Sequence, residues 1–153
     1  MSDLTSHVTD RDRAAITETV QTIARSADLH QWDAVRAAFA EIVALDYGTP
    51  ETLSPDDVIV RWRPLLSAFD ATQHVVRELA IDLDGNRARV TSRFQATHVL
   101  RGTPGGDVWT LAGRYEHDLA RTADGWKVTR MRMIPEASTG NARLLDDARA
   151  RAT

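Results

Sequence analysis

The first seventy residues repeat apolar positions at helical spacing, and the stretch from His74 onward repeats them at strand spacing. Ala14, Ile16, Val20, Ile23, Ala24 and Ala27 share one face of a helix predicted over about 11–29, with Thr9 or Asp10 as its cap. A break at Leu29 to Gln31 leads to a second helix, about 31–40, burying Trp32, Val35, Ala38 and Phe39. Glu41 to Gly48 then alternates, with Val43, Leu45 and Tyr47 on one face and Ala44 and Asp46 on the other. That pattern predicts a strand ended by Gly48 and Pro50. Ser54-Pro55-Asp56-Asp57 offers a capping serine, a proline at the first helical position and early acids. It starts a third helix, about 55–70, with Val58, Trp62, Leu65, Leu66 and Phe69 along one stripe and a kink expected at Pro64.

From His74 the period is two. Strands are predicted over about 74–83, 87–101, 108–121 and 126–135, with turns at Asp84-Gly85-Asn86 and Ala123-Asp124-Gly125. Residues from Asn141 to Ala152 return to helical spacing, with Ala142, Leu145 and Ala148 on one side. Helices segregated from a four-strand antiparallel meander give an α+β fold. A curved sheet wrapped around three N-terminal helices leaves a conical pocket, the natural place for a site.

Composition narrows the classes. The 153 residues make one domain, 1–153, large enough to hold a core and a pocket. Lys plus Arg number 19 against 22 Asp plus Glu, a net charge of −3. The basic patch of a nucleic-acid binder is missing. Apolar runs fall far short of a membrane span, and the polar first residues do not read as a signal peptide, so the expected location is cytoplasmic. The absence of cysteine excludes disulfides, thiolate metal sites and a cysteine nucleophile.

The candidate chemistry lies on the inward faces. Alternation along the strand from Arg87 puts Ala88, Val90, Ser92, Phe94, Ala96 and His98 on the apolar side. Taken alone, His98 reads more simply as a core histidine satisfied by a carbonyl. His74 opens the preceding strand, and His117 shares an inward face with Leu111, Tyr115 and Leu119, expected near the open end of the sheet. Asp28 ends the first helix, where a solvated acid is the bland alternative. Tyr47 points inward with a hydroxyl that needs a partner.

These residues and their order resemble the SnoaL-like branch of the nuclear-transport-factor-2-like superfamily, in pattern most like the scytalone dehydratases. Ala27-Asp28 with Gln31-Trp32-Asp33, Leu45-Asp46-Tyr47, Thr72-Gln73-His74, Ala96-Thr97-His98 and Asp124-Gly125-Trp126-Lys127 carry the resemblance, from about Arg13 to Pro135. It implies catalytic roles for Asp28, Tyr47, His74 and His98. The family's second tyrosine is Ala27 here, and its polar serine and asparagine fall at Gly113 and Tyr115, so a different substrate is implied.

The chemistry expected is removal of a proton next to a carbonyl and loss of a leaving group, in a small, largely apolar cyclic or polyketide-like substrate. One histidine, oriented by Asp28, serves as base; Tyr47 supports the developing oxyanion; the second histidine returns a proton to the departing hydroxyl. An isomerase or cyclase with the same base, or a non-catalytic small-molecule-binding module, are the alternatives. Val58, Trp62, Phe69, Phe94, Trp109 and Tyr115 are the expected substrate contacts. No cofactor is implied by the resemblance, and no metal is expected from three histidines and an acid without ligand spacing. The resemblance also implies a homo-oligomer, dimer or trimer, through the outer sheet face bearing Arg89, Thr91, Arg93 and Gln95.

Overall fold

Helix α1, Ser2–Asp28, buries Ile16, Val20, Ile23 and Ala27, positions that return to one face every turn. The computed structural model describes the backbone of residues 2–152 and the side chains of residues 8–152. Thr9 and Asp10 lie inside α1 rather than at its cap. No Gly or Pro interrupts residues 2–10, and a residue that caps well does not by itself stop a helix. The other end is specified closely. His30 takes a left-handed conformation (φ 57°), its N–H donates to the Ala27 carbonyl, and the Gln31 N–H donates to that of Ser26. This pair of bonds is a Schellman closure with histidine where glycine is usual. It leaves Asp28 as the last helical residue, facing the sheet.

Helix α2, Trp32–Ala38, leads straight into strand β1, Phe39–Asp46. Asp46 accepts from the Gly48 N–H, and the chain doubles back into a short edge strand, β2, Pro50–Leu53, which the alternation did not predict. Helix α3, Pro55–Ala68, begins with a complete capping box: Ser54 accepts from the Asp57 N–H while the Asp57 carboxylate accepts from the Ser54 N–H. Pro64 lies within it.

Strands β3 (Ala71–Asp84), β4 (Arg87–Val99), β5 (Val108–Thr122) and β6 (Gly125–Gly140) form the meander, followed by α4, Arg143–Ala152. The six strands run in the order β2-β1-β6-β5-β4-β3, antiparallel except where β1 lies parallel to β6. Residues in β4 alternate buried and exposed along most of the strand, with Ala88, Val90, Ser92, Phe94, Ala96 and His98 inward. Bulges in β3 near Glu78 and in β6 at Glu136, opposite Gly113, bend the sheet over α1.

Trp126 fastens helix to sheet. Its ring is buried under the Arg121 guanidinium, its indole N–H donates to Asp12, and Arg121 grips the same carboxylate through two bonds of 2.8 and 2.6 Å. The Gly125-Trp126 pair is thus a packing device, placing α1, and with it Asp28, on the sheet. Among the described residues no helix is long and apolar enough to cross a membrane.

Candidate active site

A cavity of about 290 Å³ opens between α1, α3, α4 and the inner sheet face, walled mainly by apolar side chains. Asp28 does not itself line the cavity but reaches β3 behind His74, which does. Thr72 and His74, two apart and therefore on one side of β3, both turn toward Asp28. Its carboxylate accepts from Thr72 Oγ1 at 2.9 Å, from the His74 backbone N–H at 2.6 Å and from His74 Nδ1 at 2.7 Å. Burial works against the charge. The ring and backbone of His74 together with Thr72 outweigh it, holding Asp28 below the usual carboxylate range. A carboxylate only accepts, so His74 Nδ1 carries the hydrogen, and in the neutral ring the lone pair is on Nε2.

The second histidine sits beside the first, ring centres 5.9 Å apart and nearly perpendicular. His98 is 7% exposed, stacked on Trp109 at 4.6 Å and packed against Phe69. Its Nδ1 donates to the Trp109 carbonyl at 3.1 Å, so its Nε2 is also an acceptor in the neutral ring. Burial lowers its pKa; the bond to Trp109 opposes this, and nearby His74 adds to the lowering. His98 is thus both a core histidine satisfied by a carbonyl and a lining residue of the cavity.

Tyr47 follows the last residue of β1 and belongs to the turn into β2, so it does not continue the buried face of Val43 and Leu45. It leaves 43% of its surface uncovered while lining the cavity. The concave wall around the hydroxyl desolvates it, and this, with the influence of Tyr115, pushes its pKa up. Neither Tyr47 nor Tyr115 finds a hydrogen-bond partner for its hydroxyl among the described residues. Tyr115 stacks on Phe94 at 4.3 Å, and burial followed by the Asp28 charge raises its pKa too.

Trp62, Phe94, Trp109 and Tyr115 line the cavity as expected from the sequence, but Val58 and Phe69 do not. Val58, in the first turn of α3, is fully buried in the main core, ahead of the part of the helix that reaches the cavity at Trp62, Leu65 and Leu66. Phe69 has left the helix and joins Leu100, Trp109, Leu144 and Ala148 in a second cluster behind His98. His117 points inward but is among the most deeply buried side chains, not at an open end. Sequence reasoning missed Thr72 as the third support of Asp28, although its spacing from His74 carried the signal. It also missed Leu145 and Arg149 of α4, which close one side of the cavity. No three His, Asp or Glu side chains among the described residues converge as metal ligands.

The SnoaL-like domain family matches residues 9–132, most of the chain and every element that builds the cavity except α4 and the end of β6. The chain belongs to the SnoaL-like family. No protein of curated function matches this SnoaL-like chain. Among solved structures, the Kfla4162 protein from Kribbella flavida is 28% identical, with TM-score 0.85 over 90% of this chain and 99% of its own. A protein provisionally described as a scytalone dehydratase, from Novosphingobium aromaticivorans, is 22% identical with TM-score 0.77, covering 92% of each chain. The hexachlorocyclohexane dehydrochlorinase LinA-type3 from Novosphingobium barchaimii is 15% identical with TM-score 0.76 over 92% of this chain and 94% of its own. At these two identities the likeness is one of fold, the NTF2-like α+β fold.

Proposed function

We propose that this SnoaL-like protein is a cofactor-independent lyase of the dehydratase type, acting on a small, largely apolar cyclic ketone or polyketide-like substrate. The observation that carries the reading is the 2.7 Å contact of Asp28 with His74, whose ring lines an apolar cavity. His74 Nε2 takes the proton from carbon next to the carbonyl as the C–H electrons pass into the enolate. Asp28 stabilises the imidazolium and fixes the tautomer. Tyr47 donates to the enolate oxygen as charge collects there. The enolate then reforms its carbonyl, the new C=C forms, and the bond to the leaving hydroxyl breaks. His74 Nε2 gives its proton to that oxygen, which departs as water. His98 is a poorer base, because it has a carbonyl rather than a carboxylate behind it and lies in an apolar stack. Its sole proton is held by Trp109, so it accepts a hydrogen bond from a substrate hydroxyl instead of returning a proton to the leaving group. The provisionally described dehydratase and the dehydrochlorinase share the fold and carry names of elimination chemistry, which supports this class without specifying the substrate.

The test is a panel of cyclic β-hydroxy ketones, followed by the absorbance of the conjugated enone formed when water leaves. Turnover by the wild type that is lost in His74→Ala supports the reading. Undiminished turnover in His74→Ala removes it.

A further inference from the structure

Behind the dyad, the β5 wall runs from Trp109, against His98, to His117, and ends in polar groups that the elimination does not use. His117 is 1% exposed, yet neither ring nitrogen has a hydrogen-bond partner among the described residues, and Nδ1 is fully enclosed. A neutral imidazole carries one N–H and one lone pair, and leaving either unpaired in an apolar interior is costly. The ring lines the cavity and meets Tyr115 edge to face at 5.5 Å. Tyr115, whose own hydroxyl is without a partner, sits close enough to Asp28 to feel its charge. Ser92, paired with Tyr115 across β4 and β5, adds a buried hydroxyl that is also unpartnered. Native interiors rarely leave such groups unmatched; Ser92 lies behind the wall, but His117 and Tyr115 line the cavity, so His117 Nε2 and the Tyr115 hydroxyl mark a place for a polar atom of a ligand.

We propose that His117, with the hydroxyl of Tyr115, forms an anchoring subsite that takes a neutral oxygen substituent, hydroxyl or carbonyl, carried by the substrate away from its acidic C–H. The subsite deepens the lyase reading by giving the substrate a second oxygen, but it is read through binding and does not need turnover. The rest of the lining around it, including Val20, Ile23 and Met131, is apolar and takes the carbon skeleton. A neutral oxygen suits the subsite better than a carboxylate, because the ring contact of His117 is with Tyr115 rather than a cation, and the Asp28 charge already acts on Tyr115.

The experiment compares 1-tetralone with 6-hydroxy-1-tetralone, binding measured by calorimetry. Wild type is expected to favour the hydroxylated probe about tenfold, the worth of one well-formed neutral hydrogen bond. His117→Leu should bring the two affinities together, His117→Gln should keep part of the preference, and His74→Ala should leave it intact. Nitrogen NMR of the His117 ring in the wild type should show a shift with the hydroxylated probe only, a readout independent of how any variant folds. Equal affinities in the wild type overturn the proposal. So does a preference unchanged in His117→Leu with only the melting temperature lowered, which would make His117 a structural group. Loss of catalysis in every assay with the probe preference intact would remove the lyase reading and leave the subsite standing.

Discussion

Asp28 is a charged side chain held by three donors from one strand, and its value depends on what stands behind it. Replacing it with asparagine puts an amide N–H against donors that need an acceptor, and it removes the charge that stabilises the imidazolium. Asp28→Asn and His74→Ala should each lower turnover by about 10²- to 10⁴-fold, the scale of a positioned acid–base group; steady-state rates on an accepted substrate check this. Tyr47→Phe should cost less, because it deletes one donor and leaves the base intact. Titration adds a second expectation at this scale. Burial holds His117 down at about 4 from an ordinary 6.5, so the unfolded chain binds more protons between these values. Stability is therefore full above pH 6.5 and falls as pH drops toward 4, by roughly 3 kcal/mol from this residue. Asp28, whose pKa is depressed, adds a further loss only at lower pH, as its carboxylate is protonated in the fold. Denaturant unfolding at pH 7 and pH 4.5 should show the loss in the wild type and a shallower one in His117→Gln. Equal losses in both would contradict it.

At the scale of elements, the site depends on backbone features that side-chain patterns express unevenly. Thr72 and His74 were readable as neighbours on one face, and strict alternation placed His98 inward without any structure. The end of α1 was less legible, because His30 occupies a left-handed position that glycine would have announced. The turn at Tyr47-Gly48 was read as the end of a strand, when the Asx bond at Asp46 folds the chain into β2 and moves Tyr47 off the buried face. Gly113 shows why matching by position misleads. A Cβ there would meet the Ile134 carbonyl oxygen at 2.1 Å, so the β5–β6 bulge admits no side chain where the resembled dehydratases place a serine. Gly113→Ala should destabilise the fold by about 1–3 kcal/mol, the usual cost of forcing bulk into a packed site, visible as a lower melting temperature. An unchanged melting temperature would mean the bulge relaxes freely. Ser54→Ala should cost about 1 kcal/mol by removing the cap of α3, which carries Trp62 to the cavity wall.

For the whole molecule, the four-strand meander, the helical first half and the inward face of β4 all followed from the change of period at His74. The parallel pairing of β1 with β6 did not, because alternation within a strand says nothing about which neighbour it joins. Nor could one chain's pattern tell core from cavity: Val58 and Trp62 share a stripe on α3, yet Val58 belongs to the core and Trp62 to the cavity wall. The outer face is polar as read, with Arg89 paired to Asp118 and Arg93 to Glu136. We propose that this face joins copies into a dimer or trimer, and light scattering at working concentration should give a multiple of the 17.0 kDa chain. A monomer would remove that proposal and leave the site untouched.

The central claim is that Asp28 and His74 together take a proton from carbon next to a carbonyl. Deuterium exchange reads that step without requiring a leaving group. Cyclic ketones such as 1-tetralone, incubated with the protein in D₂O and followed by proton NMR, should lose their signal next to the carbonyl faster with wild type than with buffer. The acceleration should disappear in His74→Ala and nearly so in Asp28→Asn. Exchange equally fast with both variants, or ketones bound by the wild type with no exchange above buffer, would contradict the account.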